Sequence, residues 1–140
     1  MGQAQGLMKG ANGTGGWMDA VSYMVGLSGG SWATGTFAAN GGQKPTDLND
    51  NVWDMDVNLI SPGANKDQFF SDIAAQVKAK YDLGFPVQIT DIWGLAIANH
   101  ILPREYRVDT NPNMTISNLP SLVGAYENAS IPMPIIVAAG

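Results

Sequence analysis

The chain has 140 residues, 45% apolar and only 14% charged, with 12 acidic residues against 7 basic ones and a net charge of −5. That is about one small domain with a charged share well below the ~25% usual for soluble domains. The acidic balance without a Lys/Arg cluster argues against nucleic acid as a partner. The absence of Cys and the single His, His100, exclude a disulfide framework, a thiolate metal site and a His-rich metal motif.

Residues 1–16 are Gly-rich and irregular, and residues 17–27 are mostly apolar. Val21, Tyr23, Met24 and Val25 favour a short buried strand there. Ser28-Gly29-Gly30 interrupts the strand, residues 32–39 read as a helix of small residues, and Gly41-Gly42 stops that helix. Residues 43–66 carry Asp47, Asp50, Asp54 and Asp56 around Trp53 and read as a loop. The spacing of Phe69, Phe70, Ile73, Ala74 and Val77 predicts a helix over 67–81, with Lys78 and Lys80 near the end where the helix dipole favours cations. Gly84 and Pro86 close it.

A second helix is expected with Thr90 as N-cap and Asp91 in its first turn. Its apolar stripe is Ile92, Trp93, Ala96, Ile97 and Ile101, and Pro103 ends it. Residues 104–130 are loop-like, with a short helix near 122–126, and 135–138 form a buried-strand pattern. This order predicts an α/β fold: a partial open sheet with helices, all of residues 1–140 belonging to one domain. No apolar run reaches the ~18 residues of a membrane span. The first residues have neither the basic nor the apolar stretch of a signal peptide.

One motif carries chemistry. Gly26-Leu27-Ser28-Gly29-Gly30 fits the nucleophile elbow Gly-x-Ser-x-Gly, with a strand before it and a helix after it. The turn is so sharp that side chains two residues before and after Ser28 would collide, so Gly is expected at both places. A hydroxyl at Ser28 would stand above the sheet edge. The Gly29 amide, at the helix N-terminus, is the natural first oxyanion donor.

The wider string is more specific. Gly13-Thr14-Gly15-Gly16-Trp17 followed by Val21-Ser22-Tyr23-Met24-Val25-Gly26-Leu27-Ser28-Gly29-Gly30-Ser31-Trp32 closely resembles the nucleophile region of fungal lysophospholipases, also called phospholipase B. Thr90-Asp91-Ile92-Trp93-Gly94 and Met133-Pro134-Ile135-Ile136-Val137-Ala138 resemble two further family segments in the same order. The resemblance implies a serine acyl hydrolase that releases fatty acid from a phospholipid or lysophospholipid at a membrane or micelle surface. Chemistry there runs through a Ser–Asp dyad and an acyl-enzyme, with no metal and no cofactor. It implies Ser28 as nucleophile and Gly29 as oxyanion donor.

Two family features have no match. The family has an upstream Ser-Gly-Gly-Gly loop followed by Arg, and its dyad Asp is followed by Gly-Gly. None of the ten Asp residues here precedes a Gly, and Ala139 stands where the family usually has Asp. The expectation is therefore a catalytic-domain piece truncated at both ends, with little or no ester hydrolysis of its own. An inactive lipid-binding or interaction remnant of the family is the alternative. An unrelated serine hydrolase would have to use His100 as its base.

Three sequons, at Asn12, Asn113 and Asn128, exceed the about 1.2 expected by chance from 11 Asn and 15 Ser plus Thr. They agree with the secreted or cell-surface, glycosylated habit that the resemblance implies. Elsewhere the plainer roles are expected. Asp91 is a helix cap, and His100 is a packed or surface residue. Most of Trp17, Trp32, Trp53 and Trp93 are core, and Arg104 and Arg107 are solvated surface.

Overall fold

The computed structural model describes residues 17–59, 65–107 and 114–138. Asn12, Asn113, the 13–16 stretch and Ala139 lie outside the described residues. After a 3-10 turn at Trp17–Ala20 the chain forms β1 (Tyr23–Leu27), α1 (Gly29–Ala39), α2 (Pro45–Asn51), α3 (Lys66–Asp82) and α4 (Ile89–Ile101). A second 3-10 turn at Arg104–Tyr106 precedes α5 (Leu119–Leu122), α6 (Gly124–Glu127) and β2 (Met133–Val137). The architecture is mixed α/β, with a small open sheet of two strands. Two compact units divide the chain, Met1–Asn51 with Met114–Gly140, and Val52–Asn113.

In the first unit β1 and β2 run parallel, from Tyr23 against Met133 to Leu27 against Val137. The expected strand over 17–27 shortens to its last five residues, because a 3-10 turn takes up its start. It is also not a buried strand. Helix α1 packs on the sheet, and Gly26 is buried beneath it. Tyr23, Val25 and Leu27 alternate onto the other face and remain 65%, 63% and 66% exposed. Alternation onto two faces puts these three side chains together. Strand β2 starts two residues earlier than the pattern suggested, at Met133, and takes in Pro134. A strand with one neighbour has a free edge, where the missing proline N–H costs nothing.

Helix α1 ends on Asn40, whose Nδ2 donates to Thr36 O at 2.7 Å. Gly41 and Gly42 follow with φ 65° and 78°. At Gly42 a Cβ would also lie 2.3 Å from Ile131 Cγ2, so space and backbone both require glycine. The core here is Ala38, Leu119 and Val123, with Ile131, Tyr126 and Met114 packed against them. The 43–66 loop is corrected in part: α2 occupies Pro45–Asn51, with Pro at its first position, Asp47 in its first turn and Leu48 fully buried. The polar composition hid a helix held by one anchor. The short helix near 122–126 resolves into α5 and α6, broken at Val123, which is itself core.

The Tyr126 hydroxyl is buried and has no hydrogen-bond partner among the described residues. Burial pushes its ionisation above the ordinary tyrosine range. Removing an unpaired buried polar atom relieves its desolvation cost, so Tyr126→Phe is expected to leave stability unchanged or raise it by about 1 kcal/mol. Urea titration of the two proteins checks this. A loss of more than about 1 kcal/mol would mean the hydroxyl has a partner after all.

In the second unit α3 and α4 pack through Phe69, Ile73 and Ala96, with Val77 and Leu95 at the border. The expected helix over 67–81 is present with one residue more at each end. Helix α4 begins at Ile89, so Gln88 and not Thr90 is the N-cap. The reason is Asp91, whose Oδ2 accepts the Gln88 N–H at 2.8 Å and so fixes the boundary three residues upstream. Its other oxygen pairs with Lys80 Nζ, tying the end of α3 to the start of α4.

The Lys80 ammonium, and then the Gln88 N–H, hold the Asp91 carboxyl below the usual carboxylate range. A lowered folded-state value means stability that is present above about pH 4 and is lost as pH falls through the lowered value. Asp91→Asn is therefore expected to lower the melting temperature at pH 7, with the difference closing in strong acid. Thermal melts at pH 7 and pH 2 check both halves, and an equal difference at both pH values would sink the argument.

His100 is 3% exposed. Its Nδ1 lies 2.8 Å from Asp54 O and its Nε2 3.2 Å from Leu59 O, which is the packed role expected of it. Arg107 is not solvated surface: its guanidinium donates to Leu102 O at 3.1 Å and Val52 O at 2.7 Å. Backbone carbonyls that no helix or sheet satisfies recruited it. The tryptophan expectation also fails in part. Trp32 is 43% and Trp93 58% exposed, although Trp93 shares a helical face with the buried Ala96 and His100 and lies nearer the start of α4. The side chain of Trp17 lies outside what is described.

Candidate active site

Ser28 is the hinge between β1 and α1, with φ 52° and ψ −122°. A non-glycine residue at positive φ is strained by roughly 1–3 kcal/mol and persists only where its surroundings hold it. Three interactions do so. The Ser28 N–H donates to Val137 O at 3.2 Å, continuing the β1–β2 pairing one residue past the strand. The Ser28 carbonyl accepts the Ser31 N–H at 2.8 Å, which starts α1. The Ser31 hydroxyl lies 2.7 Å from Gly26 O and 2.8 Å from Val137 O.

Gly26 lets the turn close. A Cβ built on it would stand 2.5 Å from Gly30 O and 2.6 Å from Thr34 Oγ1. Gly30 is different: a Cβ there meets nothing within 4 Å. The expectation that glycine is sterically required on both sides of Ser28 therefore holds at Gly26 and fails at Gly30. The crossing is one-sided, with the helix backbone at Gly30 seated over the Gly26 Cα.

Ser28, Gly29 and Gly30 are all exposed. The first N–H groups of a helix have no intrahelical acceptor, so the start of α1 presents donors and the positive end of its dipole next to the Ser28 side chain. Leu27 and Trp32, 66% and 43% exposed, flank the turn with apolar surface. Ser28 and Gly29 are thus adjacent at the C-terminal end of β1, the end of a parallel sheet where ligands collect in α/β folds.

Asn128, the one sequon asparagine among the described residues, is exposed at the end of α6. No group of three His, Asp or Glu among the described residues could hold a metal ion. No helix among them is long and apolar enough to cross a membrane. Sequence reasoning did not single out Ser31 or Thr34. The signal for Ser31 was present in Gly-Leu-Ser-Gly-Gly-Ser-Trp, where a second hydroxyl follows the first by one helical turn.

A strand, a serine at positive φ and a helix opening on glycines follow one another at residues 23–39. The chain belongs to the lysophospholipase catalytic domain family, whose match covers residues 3–140. It is 59% identical over 126 residues to a phospholipase B of Cryptococcus neoformans var. grubii, covering 90% of this chain and 20% of that protein. It is 36% identical over 143 residues to a lysophospholipase of Torulaspora delbrueckii, covering 94% and 22%. Identity to lysophospholipase 2 of Saccharomyces cerevisiae is 32% over 143 residues, covering 94% and 20%. The chain thus spans about a fifth of the length of the curated relatives it matches. No solved structure matches it.

Proposed function

We propose that this chain is the nucleophile-bearing part of a lysophospholipase/phospholipase B-type serine hydrolase, with Ser28 as the attacking residue. The observation that carries the reading is the backbone of Ser28, φ 52° and ψ −122°, on an exposed residue between β1 and α1. A strained conformation with so many ties is expensive to keep, and a nucleophile elbow is the use that requires it. The Ser28 hydroxyl gives its proton to the general base and attacks the acyl carbon, and the developing oxyanion is met by the Gly29 amide at the start of α1. The ester C–O bond breaks to release the protonated alcohol, and water hydrolyses the acyl-enzyme to free fatty acid. The exposed Leu27 and Trp32 side chains supply apolar surface for an acyl chain.

The general base is an Asp not found among the ten aspartates of this chain, none of which carries the Gly-Gly that follows the dyad Asp in the family. Substrates are phospholipid or lysophospholipid at a membrane or micelle surface. The protein is secreted or at the cell surface, and Asn12, Asn113 and Asn128 are its glycan acceptors.

Fluorophosphonate treatment of the folded chain, with mass spectrometry to locate the adduct, tests the reading. Capture draws on the turn and the helix amides but is slow without the base that takes the Ser28 proton, and deacylation needs that base as well. The expected result is an adduct on Ser28 and on none of the other seven serines, with little fatty-acid release. An adduct elsewhere, or none on a folded chain, would leave the inactive remnant as the better description.

A further inference from the structure

We infer that Ser31 is a positioning residue for Ser28, acting by tying the ends of the two parallel strands together beneath the turn. This rests on the reading of Ser28 as nucleophile. Ser31 lies 5 residues from Gly26 and 106 from Val137, yet its Oγ is within 2.7 and 2.8 Å of their carbonyl oxygens. Gly26 is the second residue before Ser28, and Val137 is the last residue of β2. The hydroxyl carries one proton, so it bridges the two carbonyls with a shared donor.

Val137 O receives a second donor, the Ser28 N–H at 3.2 Å. The same carbonyl therefore anchors the backbone of Ser28 and is itself held by Ser31. Without the Ser31 hydroxyl, Val137 O keeps the Ser28 N–H and loses its second donor, so the end of β2 is tied to the turn by one hydrogen bond where there were two. The Ser28 Oγ and the Gly29 amide then lose their common reference. Displacements of about 1 Å at a reacting atom cost on the order of 10²-fold in rate. The ordinary helix role of Ser31, its N–H donated to Ser28 O, is made by the backbone and does not need the side chain.

The test compares wild type, Ser31→Ala, Ser31→Thr and Ser31→Cys in two measurements: the rate of fluorophosphonate capture at Ser28, and hydrogen exchange of the Ser28 amide. Ser31→Ala is expected to slow capture at least 10-fold and to speed Ser28 exchange at least 10-fold, with exchange in α3 and α4 unchanged. Ser31→Thr, which keeps the hydroxyl, is expected within 3-fold of wild type on both. Ser31→Cys, of similar shape but a weak donor, falls between them and stands in for Ser31→Ala if that variant does not fold. Capture by Ser31→Ala at the wild-type rate overturns the inference. So does a folded Ser31→Thr as slow as Ser31→Ala, since packing and not the hydroxyl would then be responsible. If wild type itself is not captured, the nucleophile reading fails. The exchange arm then decides the tie, and unchanged Ser28 exchange in Ser31→Ala refutes it.

Discussion

Ser28→Gly is expected to abolish fluorophosphonate capture completely and at the same time to make the chain more stable. Both effects come from one residue. The Ser28 hydroxyl is the atom that forms the phosphonate ester, so its removal leaves nothing at this position to capture the reagent. The stability gain comes from the backbone. Ser28 sits at φ 52° and ψ −122°, which glycine adopts readily. Relief of about 1–3 kcal/mol of strain outweighs the roughly 0.5–1 kcal/mol of extra chain entropy that glycine brings to the unfolded state. The net gain is about 1 kcal/mol, a rise of a few degrees in melting temperature. Ser28→Ala separates the two terms, because it loses capture equally but keeps the strained backbone. Equal melting temperatures for Ser28→Gly and Ser28→Ala would show that the turn is not strained and would remove the main support for a nucleophile there.

Gly26→Ala and Gly30→Ala are expected to act in opposite directions. At Gly26 the new methyl would meet the Gly30 carbonyl oxygen at 2.5 Å and the Gly30 carbon at 2.7 Å, and both are backbone of α1. Neither can swing aside, so the helix must lift from the sheet or β1 must shift. Overpacking of this kind costs about 1–3 kcal/mol, and backbone on both sides places this site at the upper end. Capture at Ser28 should fall at least 100-fold with it, since the helix amides move relative to the serine. At Gly30 the methyl enters open space and alanine favours the helix, so stability should hold or rise by up to about 1 kcal/mol. Urea titrations of the two variants give the signs directly. Destabilisation by both to the same extent would mean the motif needs glycine for flexibility and not for the crossing of α1 over β1.

Much of this arrangement was legible in the residues. Helix α3 announced itself through five apolar residues at helical spacing, and α1 through a strand, a Ser-Gly-Gly break and a run of small residues. Ser28 and Gly29 were singled out from spacing and chain context, and the structure has them between β1 and α1. What was missed depends on partners far along the chain. Helix α2 has a polar sequence and is held by the burial of Leu48, which no periodicity reveals. The N-cap at Gln88 was displaced from Thr90 because Asp91 reaches back to a backbone N–H, a choice between two good caps that local propensity does not make. Arg107 looked solvated because its acceptors are backbone carbonyls, which carry no residue signature. The Ser31 bridge to Val137 was hidden for the same reason, across 106 residues.

That separation also dictates a timetable for synthesis. Strand β1 and helix α1 leave the ribosome with the strand partner seen among the described residues about a hundred residues away, roughly 5–20 s behind at ordinary rates of translation. Through that interval Tyr23, Val25 and Leu27 have no β2 beside them, and both edges of β1 can accept a stranger's backbone. Closing so long a loop carries a chain-entropy cost that local helix formation does not repay. The turn at Ser28, which needs Val137 for its anchor, is therefore among the last features of this unit to form. A released chain that stops before residue 133 should bind hydrophobic-segment chaperones more tightly than one that includes β2.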